Sequence, residues 1–119
     1  MYGARVCHAN KVLHRDFKLD NMLLNANLDT AKICDFGISK FIEPNEILRE
    51  DCGTPAYLAP EIIADTGYKG FGSDIWSLGV CLYAMVTGTV PFRAPNVRSL
   101  HKDILRAKYT IPDHVSPEA

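Results

Sequence analysis

Asp16 and Lys18 place a carboxylate and an ammonium two residues apart, inside the stretch His14-Arg15-Asp16-Phe17-Lys18-Leu19-Asp20-Asn21. A carboxylate held within reach of a hydroxyl accepts its hydrogen bond and can take its proton. In extended backbone, residues two apart share a side, so Lys18 sets a cation beside whatever Asp16 orients. Asn21 adds an amide carbonyl, and Asp35, in Asp35-Phe36-Gly37, adds a second carboxylate. Hard cations such as Mg²⁺ take oxygen ligands of these two kinds. Gly37 lets the backbone bend where a Cβ would clash. Two further motifs follow in order, Gly53-Thr54-Pro55-Ala56-Tyr57-Leu58-Ala59-Pro60-Glu61 and Asp74-Ile75-Trp76-Ser77-Leu78-Gly79-Val80.

These residues need elements to hold them. Residues 2–10 have apolar positions but no N-cap, and read as the tail of a helix whose start is missing. Met22-Leu23-Leu24 and Lys32-Ile33-Cys34 are short apolar runs separated by an Asn- and Asp-rich stretch, the signature of a small hairpin. Pairing them brings Asn21 and Asp35 close. From Gly37 to Gly53 the pattern is irregular and reads as a loop. Pro60 starts a short helix over 60–64. Ser73 caps a helix from Asp74 through Val86 that is apolar nearly all round, which predicts a buried central helix. Gly88 ends it and Pro91 forbids its return. Asn96 caps a second helix, with Val97, Leu100, Ile104 and Leu105 on one stripe. Ser116-Pro117-Glu118 reads as the opening of a further helix. The fold class is α+β and mainly helical.

The chain has 119 residues, 47% hydrophobic and 23% charged, which allows one domain and argues against disorder. Thirteen Lys and Arg against fourteen Asp and Glu leave a net charge of −1, with no basic excess for nucleic acid or an anionic membrane. The four cysteines form no C-x-x-C and read as reduced thiols of a soluble cytoplasmic or nuclear protein. The first residues lack a signal-peptide core, and the longest apolar stretch, Val80 to Val86, is too short to span a bilayer.

In this order the four motifs resemble the C-terminal lobe of a eukaryotic protein kinase, over essentially the whole chain. Lys18 and Gly53-Thr54-Pro55 resemble the serine/threonine type, and 53–61 with 74–92 the calmodulin-dependent or AMP-activated-like branch. The resemblance implies a protein-kinase-like fold, with residues 1–119 a partial kinase domain that carries a short β-hairpin near the catalytic loop. The implied activity is transfer of the ATP γ-phosphoryl group to Ser/Thr hydroxyls of protein substrates. Asp16 would accept the hydroxyl proton, Lys18 would face the transferred phosphate, and Thr54 would contact both. Asn21 and Asp35 would hold Mg²⁺. Leu23 would floor the adenine site or be an ordinary core leucine. Cys34 would line the same pocket or be a small buried apolar residue.

Regulation is implied as well. Arg15, helped by Lys40, receives an activation-loop phosphate in related kinases. Here Glu50 stands at the usual phosphosite, followed by Asp51, and no Ser, Thr or Tyr lies between Lys40 and Gly53. One of the two acids replaces the phosphate, or the loop is simply solvated. Asp20 stands where some relatives bind a basic substrate residue, but the supporting acid is Ala84 here. Asp74 would anchor the catalytic-loop backbone, and Glu61 would lack an Arg partner from a later helix. No G-x-G-x-x-G and no V-A-I-K occurs, so the N-lobe of the parent kinase is expected as the missing partner. The competing reading is a non-catalytic kinase-like docking module.

Overall fold

In the computed structural model, which describes residues 2–116, the chain begins with helix α1 (Tyr2–Ala9) and strand β1 (Val12–Leu13). A 3-10 turn over Leu19–Asn21 leads into β2 (Met22–Leu24), which pairs antiparallel with β3 (Ala31–Ile33) in the register Met22↔Ile33 and Leu24↔Ala31. Asn25 closes the hairpin: its side-chain oxygen accepts from the backbone of Asp29 and Thr30, a local bond that competes well with extended pairing.

The segment 37–53 is not only loop. It contributes β4 (Lys40–Phe41), antiparallel to β1, and Leu48 exchanges backbone hydrogen bonds with Tyr68. Both partners are distant in the chain, and two-residue strands carry no readable alternation. These pairings draw the irregular segment against the core formed by Leu13, Ile42, Leu48, Leu58, Ile62 and Tyr68. Ala4, Phe17 and Leu78 make a second cluster between α1 and the long helix. Phe17 is fully buried, worth roughly 1.5–3 kcal/mol relative to exposure.

A second 3-10 turn (Pro55–Tyr57) precedes α2 (Pro60–Ile63), with Pro60 in its first turn. Helix α3 spans Gly72–Thr87 and ends on Gly88 in the left-handed conformation, φ 78°. Its start corrects the expectation of a Ser73 cap. The chain turns at Gly70 (φ 64°) and is already helical at Gly72. Ser73 therefore lies inside the first turn, its hydroxyl buried without a partner among the described residues. Its burial also departs from expectation. Asp74, Ser77, Leu78, Val80, Cys81 and Ala84 are buried, whereas Ile75, Leu82 and Met85 are exposed. Among the described residues no element covers that second face, so composition alone overstated the burial.

Helix α4 (Val97–Arg106) is capped by Asn96, whose side-chain oxygen accepts from Ser99 N at 2.9 Å. Of its apolar stripe only Ile104 is fully buried, while Val97 and Leu105 are half exposed. The helix expected to open at Ser116-Pro117-Glu118 lies outside the described residues. No helix among the described residues is long and apolar enough to cross a membrane.

All four cysteines are free thiols. Burial in α3 pushes the Cys81 thiol up to about 11, and the thiolate is the reactive form. Cys81 is therefore expected to be the last of the four to alkylate with iodoacetamide near pH 8 in the folded protein. Peptide mass spectrometry against time checks this order.

Candidate functional site

Strand β1 delivers His14 and Arg15 into a loop that a single buried carboxylate holds. Asp74, from the first turn of α3, accepts the backbone N–H of Arg15 on Oδ1 at 2.9 Å and that of His14 on Oδ2 at 2.9 Å. His8 of α1 donates from Nε2 to the same Oδ2 at 2.8 Å, and its ring stacks on Phe71 at 4.3 Å. Arg15 sits at φ 70°, a conformation that costs a branched or long residue roughly 1–2 kcal/mol. Two backbone bonds to a buried carboxylate are what hold it there.

His14 is the pivot of this loop, and it is fully buried. Its Nε2 donates to the Cys34 carbonyl at 3.1 Å, and its Nδ1 accepts from Asp16 N at 3.3 Å. A carbonyl only accepts and an amide only donates, so these partners specify the neutral imidazole with the proton on Nε2. The ring stacks on Phe17 at 4.4 Å and meets Phe36 edge-on at 4.8 Å. Neither His8 nor the role of His14 was found from sequence. A histidine in a buried turn carries no periodic signal, and its partners lie on other elements.

Asp16, Lys18 and Thr54 form a closed triangle. The Thr54 hydroxyl donates to Asp16 Oδ1 at 2.7 Å, Lys18 Nζ donates to Thr54 Oγ1 at 3.0 Å, and Lys18 Nζ pairs with Asp16 Oδ2 at 2.9 Å. Partial burial pushes the Asp16 carboxyl up, but Thr54, Lys18 and Asn21 outweigh it and hold the group below its ordinary value. The hydrogen bond to Asp16 raises the Lys18 ammonium. Both groups are therefore charged at neutral pH.

Asn21 is buried, and its amide nitrogen donates to Asp16 O at 2.9 Å and to Asp16 Oδ2 at 3.2 Å. That leaves the amide oxygen with no hydrogen bond from the described residues. The hairpin brings Asp35 to the same end, because Cys34 N donates to Asn21 O at 3.0 Å at the close of the β2–β3 ladder. Asp35 is exposed, at φ 62°, with one oxygen accepting from Gly37 N at 3.2 Å. No cluster of three or more His, Cys, Asp or Glu side chains among the described residues is arranged to hold a metal by itself. Two oxygen ligands fit a Mg²⁺ ion whose remaining ligands are water and phosphate.

Leu23 lies on β2 and is exposed, and Cys34 is half-buried. Asp20 is exposed on the 3-10 turn. Glu50 pairs with both Arg15 and Lys40, whereas Asp51 is exposed and makes no ion pair among the described residues. Glu61 likewise has no ion-pair partner among them.

Gly53 joins the segment 37–53 to the triangle at φ 123°. A Cβ there would stand 2.9 Å from the Arg15 carbonyl oxygen and 3.0 Å from Leu58. Gly53→Ala is expected to cost roughly 1–3 kcal/mol and to loosen Thr54 from Asp16. A lower unfolding midpoint in denaturant checks it, and an unchanged midpoint contradicts it.

The family model described as Protein kinase domain matches residues 1–119. Serine/threonine-protein kinase SIK1 of Rattus norvegicus is 43% identical over 112 residues, covering 94% of this chain and 14% of the relative. CBL-interacting serine/threonine-protein kinase 5 of Arabidopsis thaliana is 45% identical over 118 residues, covering 95% of this chain and 26% of the relative. Serine/threonine protein kinase OSK3 of Oryza sativa subsp. indica is 43% identical over 114 residues, covering 96% and 22%. The chain thus spans between 14% and 26% of the length of these relatives.

Proposed function

The chain belongs to the protein kinase domain family, and on that premise we propose that the full-length protein transfers the γ-phosphoryl group of ATP to Ser or Thr hydroxyls of protein substrates. The observation that carries this reading is the Asp16–Lys18–Thr54 triangle, with Asn21 bound to its carboxylate. The substrate hydroxyl oxygen forms the new bond to the γ-phosphorus while the bond to the bridging oxygen of ADP breaks. Asp16 accepts the hydroxyl proton and aims the oxygen lone pair. Lys18, held beside it, places positive charge where the transferring group gathers negative charge.

Asn21 and Asp35 would hold Mg²⁺, which when bound neutralises the charge of the nucleotide phosphates. Asn21 suits that task because its nitrogen is committed to Asp16, which turns its oxygen elsewhere. Thr54 ties the segment on which a substrate peptide would lie to the loop that carries Asp16. Leu23 and Cys34 would wall the adenine ring, and exposed Leu23 offers the apolar surface for it. Lys18 and Thr54 support the Ser/Thr preference. We take residues 1–119 as part of a kinase domain, with the phosphate-covering glycine loop and strand lysine supplied by chain outside them, because neither motif occurs here.

The test is transfer of labelled phosphate from Mg²⁺·ATP to Ser- and Thr-containing peptides by the full-length protein. Absence of any turnover would leave the docking-module reading in its place.

A further inference from the structure

The first two turns of α3 carry three buried polar side chains. Ser73, Asp74 and Ser77 are exposed by 4%, 1% and 8%. Two of them have partners. Asp74 accepts three hydrogen bonds, one on Oδ1 and two on Oδ2. Ser77 Oγ directs its proton to the carbonyls of Tyr57 at 2.8 Å and Ser73 at 3.1 Å. Ser73 differs, because its hydroxyl is out of solvent and bonds to no group among the described residues. A buried hydroxyl in that state forfeits the hydrogen bonds it makes to water in the unfolded chain. Folded proteins rarely leave a buried polar group so.

The same three residues line a small, largely enclosed cavity that Asp16, Phe17 and Thr54 also line. It therefore lies where α3, the loop after β1 and the start of the second 3-10 turn meet. The room for the centre of a water-sized sphere is about 10 Å³. One water needs about that much, and no organic ligand fits in it. Cavities that stay dry are lined by apolar groups, whereas this one has two carboxylate residues and several hydroxyl residues in its wall. Their unused bonding capacity narrows the occupant further. A carboxylate offers about four lone-pair sites. Asp74 has filled three, which leaves one on Oδ1. Ser77 has committed its proton, so its oxygen can only accept. The site thus presents one uncommitted hydroxyl among acceptors. Asp16 and Asp74 repel an anion, and a ligand with two protons to donate and a lone pair to offer is what matches.

We infer that this cavity is a binding site for one internal water, which accepts from the Ser73 hydroxyl and donates to Asp74 and Ser77. A buried water with about three hydrogen bonds is part of the structure and is costly to remove. Here it ties the start of α3 to the floor under Asp16 and Thr54. The site gives Ser73 a definite sign. In a dry cavity the hydroxyl is a liability, and Ser73→Ala removes it while supplying a better helix former, so the protein gains stability. With a water bound, the same substitution breaks a bond to that water, and the protein loses stability in spite of the helix gain.

The experiment has two arms, both on the full-length protein. The first is a high-resolution crystal structure of the unsubstituted protein. The expected result is one water in this cavity, within hydrogen-bond distance of Ser73 Oγ. An unoccupied cavity, a Ser73 hydroxyl turned to a protein acceptor, or a peak with the short contacts of a metal ion overturns the inference. The second arm is thermal unfolding of the Ser73→Ala variant. The expected result is a fall of about 2–4 °C in the midpoint of the domain that carries α3. A midpoint unchanged or raised overturns the inference as well. Neither arm reads phosphoryl transfer, so the site stands or falls apart from the function proposed above.

Discussion

Asp16→Asn in the full-length protein is expected to lower kcat for peptide phosphorylation by roughly 10²–10⁴-fold. The substitution keeps the shape of the side chain and one oxygen for the Thr54 hydroxyl. It removes the acceptor for the substrate proton and the anionic partner of Lys18. Binding of Mg²⁺·ATP draws on Asn21 and Asp35 in the proposed site, so the nucleotide KM should change far less than kcat. Steady-state kinetics with a peptide substrate checks both numbers. A loss under about tenfold would contradict the role given to Asp16. Thermal unfolding of the variant separates a chemical loss from a folding loss, and a small shift is expected, because the carboxylate is only partly buried.

Asp74→Asn is expected to act in the opposite manner, through stability first. Asp74 is 1% exposed and accepts three hydrogen bonds, from His14 N, Arg15 N and His8 Nε2. An amide offers one acceptor oxygen in place of two and turns an N–H toward a donor. One buried backbone N–H is left without a partner, and the left-handed conformation at Arg15 loses part of what holds it. Leaving a buried hydrogen-bond donor without its partner costs about 1–3 kcal/mol. The expected outcome is a clear drop in the unfolding midpoint, together with reduced kcat because Asp16 follows Arg15 directly. His8→Gln should be milder, since both backbone bonds to Asp74 survive. An Asp74→Asn protein with an unchanged midpoint would show that the loop is held by other means.

Much of this arrangement is legible in the residues themselves. The β2–β3 hairpin, the Pro60 and Asn96 helix starts and the Gly88 stop depend on local backbone preferences, and all appear in the fold. The capping of α3 was misread because Ser73 has the right residue type two residues too deep, and the Gly70 turn that shifts the start has no fixed signature. The burial of α3 was overread because a hydrophobic composition says what a face would bury against, not whether a neighbour is there. The choice between Glu50 and Asp51 stayed open for a related reason. Both are acids at adjacent positions, and it is in the folded chain, with Leu48 paired to Tyr68, that Glu50 meets Arg15 and Lys40 while Asp51 makes no ion pair among the described residues.

By itself the sequence determined the chemical inventory: an acid, a lysine two residues on, and two oxygen donors flanking a hairpin, in an order that resembles a protein kinase. Those features are local, and residue type and short spacing are enough to encode them. The resemblance implied that Asp74 anchors the loop, that Thr54 contacts Asp16 and that an acid pairs with Arg15, but only the tertiary structure decided the contacts themselves and which acid makes them. Asp74 reaching back to His14 and Arg15, Thr54 closing on Asp16, and Glu50 bridging Arg15 and Lys40 all join residues far apart in the chain. Such contacts leave no periodic trace, because they form only when packing brings separate elements together and burial makes each unmatched charge costly.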